Sequence, residues 1–196
     1  MFRNLNVANF LGDRRGAVAI EFVIISIVLI FMIFFISDLV MRQAMVGKLD
    51  RVSYSVAGIL RERNQLFDER EKLEQRDIEQ SLQLAVRMLR DMHTDADLSK
   101  LRVRVEEVHF NQPDSLTDTS QTVKLYRTWQ AGSGGECQAP QPLNQLTYLS
   151  PRGSYGRWVP LYQVSVCLPT ISWFTRLTAG LGEEPVMSSF AIVMVR

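Results

Sequence analysis

Histidine and cysteine are scarce, with two of each in 196 residues: His93, His109, Cys137 and Cys167. A metal centre needs four or so such ligands held together. Here the two histidines are isolated and stand in unlike contexts, so no metal and no other cofactor is expected. Catalytic signatures are missing as well. Gly153-Ser154-Tyr155-Gly156 is one residue short of a nucleophile elbow and reads as a turn. No His-Glu-x-x-His occurs, and Gly132-Ser133-Gly134-Gly135 lacks the lysine of a phosphate loop. Asp95 and Asp97 form an Asp-x-Asp pair, but they follow a helix-like stretch and suit a capped or solvated turn. The chain does not read as an enzyme, and no small-molecule substrate is expected.

Charge of one sign is lacking too. The formal net charge is +1; setting aside Arg3, Asp13, Arg14, Arg15 and Glu21, nineteen basic residues face nineteen acidic ones. A neutral remainder has no net pull on phosphate, which excludes nucleic acid as an expected partner. Proline is absent before Pro113, so nothing forces a helix break in the first half of the chain. There is no internal repeat and no second long apolar run.

One such run is present. Ala17 to Ile36 is apolar apart from Glu21 and Ser26. At about 1.5 Å per residue it matches a hydrocarbon core roughly 30 Å thick. It exceeds the apolar core of a secretory signal, about 7–15 residues, and Ser37-Asp38-Leu39-Val40-Met41 after it resembles no cleavage site. The run therefore reads as a retained anchor. Arg3, Arg14 and Arg15 against Asp13 make the N-terminal flank basic, which places it in the cytoplasm. Everything after Ser37 is then expected on the other side, in a single-pass arrangement.

Glu21 is the anomaly. A carboxylate deep in the bilayer costs about 2.5–3.5 kcal/mol on insertion scales and usually has a partner or a function. It stands five residues after Gly16. A cut between Gly16 and Ala17 would make Glu21 the fifth residue of a new chain with a free α-amine. That amine, with an ordinary pKa of about 7.7–8.0, is a cationic partner for the carboxylate of a neighbouring subunit. In the first turns of the helix, the carboxylate also suits the positive end of the dipole. Without a cut, Glu21 would only snorkel to the interface.

Arg15-Gly16-Ala17-Val18-Ala19-Ile20-Glu21-Phe22 resembles the type IV pilin-like signal, in which a prepilin peptidase cuts after the glycine. Its form is most similar to the pseudopilins of tight-adherence (Flp-type) pilus systems, the TadE/TadF group. Leu49-Asp50-Arg51-Val52-Ser53-Tyr54-Ser55-Val56-Ala57-Gly58-Ile59-Leu60-Arg61-Glu62-Arg63 is similar to the stretch after the anchor in TadF-type members. The resemblance implies processing at Gly16 and Ala17, with Glu21 and Phe22 taking part in assembly. Implied partners are the inner membrane, a prepilin peptidase, other pilins or pseudopilins and the assembly machinery. A membrane-anchored periplasmic sensor and a secretion-system pseudopilin are the alternatives.

Four regions follow: a cytoplasmic leader at 1–16, a transmembrane helix at 17–36, an extracytoplasmic helical region at 37–97 and a strand-rich, pilin-like head at 98–196. Met41, Ala44, Met45, Leu49, Val52, Val56 and Leu60 recur at spacings of three and four, one apolar face of a helix that continues the anchor to about Arg63. The charged run from Arg61 to Glu79 reads as a solvated connection. A second helix carries Ile78, Leu82, Ala85, Val86 and Leu89 and ends near Met92. Leu101, Val103 and Val105 alternate with Arg102, Arg104 and Glu106, a half-buried strand. Further strands are expected from Val123 to Trp129, Trp158 to Leu168 and Val186 to Val195, with a helix bearing Trp173, Phe174, Leu177 and Leu181 before the last. The fold class is α+β, helices packed on about four antiparallel strands. In an oxidising compartment Cys137 and Cys167 invite one disulfide across the long Ala131–Arg157 segment, with a metal site as the rival. Trp129, Tyr148, Tyr155 and Trp158, in or beside that segment, are candidates for a pocket lining or for core packing.

Overall fold

A computed structural model of the chain describes residues 14–62, 73–92, 97–113, 115, 117–153, 155–169 and 186–195. The expected helix at 170–185, most of the charged run, most of the leader, His93 and Asp95 lie outside the described residues. Two compact units divide the chain after Arg42.

Helix α1 runs from Arg14 to Arg61, in agreement with the proline-free sequence. In its first unit the apolar side chains from Val18 to Ile36 point outward, Phe22 at 70% exposure. It is the helix, among the described residues, that is long and apolar enough to cross a membrane; its most apolar 18-residue window has a mean hydropathy of 3.0 and none of it is buried. A helix suits such a segment because lipid offers backbone groups no hydrogen bonds.

In the second unit the same helix turns amphipathic. Leu49, Val52, Val56 and Leu60 are fully or nearly fully buried. Met41, assigned to that apolar face from its spacing, is instead 75% exposed, since it precedes the unit that supplies the core. Helix α2, Gln75–Met92, opens with a reciprocal cap: the Glu74 amide donates to Asp77 Oδ2 (2.9 Å) and the Asp77 amide to the Glu74 carbonyl (3.0 Å). It buries Ile78, Ser81, Ala85 and Leu89, while Leu82 and Val86 flank that stripe half-buried.

Four strands, β1 (Arg102–Phe110), β2 (Val123–Gly132), β3 (Leu161–Pro169) and β4 (Val186–Met194), form an antiparallel sheet in the order β2-β1-β3-β4. The α+β class is therefore as the sequence implied. Val103, Val105, Tyr162, Val164, Val166 and Ala191 face the helices and share one core with Leu49, Val52, Val56, Ile78, Ala85 and Leu89. Each such aliphatic side chain contributes about 1.5–3 kcal/mol by leaving water. Ser53 of α1 and Ser189 of β4 are hydrogen-bonded (3.1 Å), and Ser189 also donates to Asp50 Oδ1, which fixes this part of α1 along the last strand.

Strand β1 departs from the half-buried expectation. As a central strand it is covered on both faces, and Glu106 and Glu107 are 1% and 0% exposed. The cover on the face away from the helices is the 133–160 connection. It forms short 3-10 turns at Leu143–Gln145 and Thr147–Leu149 and places Leu143 and Leu146 on Val108, Phe110 and Leu161. The third strand begins at Leu161 rather than Trp158, which instead bridges Arg152 at the foot of a small turn.

Candidate functional site

The residues singled out at the N-terminus lie on one helix. Gly16 and Ala17 are helical, at the described start of α1. Glu21 and Phe22 follow, both exposed. The Glu21 carboxylate stands near one end of a helix whose side chains over the next turns are hydrocarbon except for Ser26. Such a surface can take up lipid or other helices.

In the second unit the two cysteines are joined, Sγ to Sγ at 1.98 Å, with their Cα atoms 5.6 Å apart. The bond ties the start of the long connection to β3, and among the described residues no group of His, Cys, Asp or Glu could hold a metal. The disulfide is one of several fastenings along that connection. Gln163 Nε2 donates to the Gln141 carbonyl (3.2 Å), Gln121 Nε2 to the Thr147 carbonyl (2.8 Å) and Trp158 Nε1 to the Ser120 carbonyl (2.9 Å). Arg152 donates to the Asp118 carbonyl and lies over the Trp158 ring at 5.4 Å.

Glu106 anchors the middle of the connection. Its Oε2 accepts the Leu143 amide at 2.8 Å and the Tyr126 hydroxyl at 3.0 Å, while Oε1 accepts Arg104 Nε at 2.8 Å. A buried carboxylate is tolerable here because charge-assisted donors replace its water. Burial, then the adjacent Glu106 charge, raise the pKa of the Tyr126 phenol above its ordinary value, since both disfavour phenolate. Sequence periodicity gave no sign of this role; a polar residue alternating with apolar ones looks solvent-facing until a covering segment is in place.

His109 is likewise not isolated. Its Nε2 lies 2.5 Å from Oε1 of the fully buried Glu107, although neither atom completes a well-aligned hydrogen bond. The contact lies beside the helix-facing core. It lies on the face opposite Glu106 and opposite the disulfide, so it adds no ligand to the cysteines.

The four aromatics do not form a common lining. Trp129 packs on the helix-facing core, whereas Trp158 packs on Phe110 across the sheet, ring centroids 6.4 Å apart. Tyr148 and Tyr155 are 72% and 85% exposed. The glycine-rich loop is explained by close backbone approach: a Cβ at Gly132, where φ is +107°, would strike the Leu101 carbonyl oxygen, and one at Gly134 the Lys100 carbonyl oxygen. In the Gly153–Gly156 motif the Gly153 amide donates to the Arg157 carbonyl at 2.8 Å and the Gly156 amide to the Gly153 carbonyl at 3.0 Å, bonds that belong to a turn. Asp97 accepts the Ser99 amide at 3.0 Å, and bonds from Ser99 lower its pKa; it caps a turn, as expected.

Neither curated proteins nor solved structures gave a match to the chain. A family model does match: that of TadF, described as "Putative tight adherence pilin protein F", over residues 9–196. The match runs from before the basic flank of α1, through the anchor and the sheet, to the end of the chain. This protein belongs to the TadF family of tight-adherence pilin proteins.

Proposed function

We propose that this protein is a minor, pilin-like subunit that starts or supports assembly of a tight-adherence pilus, and that it is not an enzyme. The reading rests on one observation: a whole-chain TadF match that begins before a Gly16-Ala17 junction, with Glu21 exposed on the apolar helix behind it. In this reading a prepilin peptidase removes residues 1–16. Proteases act on extended backbone, so the helix must open at the junction, and Gly16 lowers that cost by about 0.5–1 kcal/mol relative to alanine.

The new α-amine at Ala17 answers the Glu21 carboxylate of a neighbouring subunit and sets the stagger between adjacent helices. Burial in lipid magnifies that pairing, because a carboxylate without a counter-charge is disfavoured there. The anchor holds the protein in the inner membrane with its leader in the cytoplasm and its second unit in the periplasm. The unit Gln43–Arg196 is large beside the small major pilins of such systems, which favours a minor or priming place at or near the base of the fibre.

Mass spectrometry of the membrane-extracted protein from cells with an active prepilin peptidase tests this. A chain starting at Ala17 is expected, and Gly16→Leu should retain all sixteen leader residues. Glu21→Ala should be cut normally yet fail to support piliation. A wild-type chain that keeps Met1 through Gly16 would sink the proposal.

A further inference from the structure

We draw no further inference here: the strongest candidate, the side-chain cluster of the buried Glu107 with His109 on the helix-facing side of β1, supplies two ligating groups where a metal site needs a third, and among the described residues no other His, Cys, Asp or Glu joins them.

Discussion

Replacing Glu106 should loosen the long connection from the sheet while leaving the helix-facing core in place. The carboxylate accepts three donors, the Leu143 amide and Tyr126 hydroxyl on Oε2 and Arg104 Nε on Oε1. Glu106→Ala leaves all three without it. Arg104 is 16% exposed and can turn to water, but the Leu143 amide belongs to a fully buried residue. A buried donor left unsatisfied costs about 1–3 kcal/mol, and removing one partner of a buried ion pair costs roughly 3–5 kcal/mol in all. For a unit of this size, Gln43–Arg196, each kcal/mol moves the melting midpoint about 2–4 °C, so a fall of roughly 6–20 °C is expected. Glu106→Gln keeps one acceptor oxygen for Leu143 and Tyr126 but turns an amide NH2 toward Arg104, and should cost about 1–3 kcal/mol. The assay is thermal unfolding of the full chain in detergent, joined to hydrogen exchange at the Leu143 amide. Exchange at Leu143 should accelerate in both variants, whereas the Val164 amide, in the central β3 strand, should stay protected. A fall in stability under about 0.5 kcal/mol for Glu106→Ala, with Leu143 still protected, would refute the reasoning.

Three further outcomes follow from the same architecture. Cys137→Ser removes a cross-link spanning 30 residues, worth roughly 3.5–4 kcal/mol in the chain-entropy model, and unfolding of oxidised and variant proteins should differ by that order. Gly132→Ala should destabilise by more than about 1 kcal/mol because its Cβ meets the Leu101 carbonyl at a positive φ, while Gly58→Ala, with nothing within 4 Å of the new methyl, should stabilise by up to about 1 kcal/mol; paired denaturant curves decide both. Tyr126 has its pKa raised above the ordinary 10.0, so its hydrogen bond supports the fold fully below that pH and the support is lost as pH climbs through the folded value; the tyrosinate absorbance of Tyr126→Phe should lack one component that titrates above 10.0 in wild type.

Much of this protein follows from chain order alone. A run of twenty residues, eighteen of them apolar, must be helical in lipid whatever surrounds it, because its backbone has no other hydrogen-bonding partner, and the spacing of Leu49, Val52, Val56 and Leu60 marks a buried face without reference to what buries it. The Gly16-Ala17 junction and Glu21 are equally local, a matter of order along one helix. Period-two alternation located the strands, since each buries at least one face. What the alternation could not give was the second face of β1. Glu106 looked solvated, and it is buried because a connection from far along the chain folds over it, tied by the disulfide and by its own Leu143 amide. The pairing of His109 with Glu107 and the separation of Trp129 from Trp158 arise in the same way. Neighbour-to-neighbour patterns set which segments are helix or strand. Contacts between residues distant in sequence set which polar groups lose water, because desolvation depends on what arrives from elsewhere.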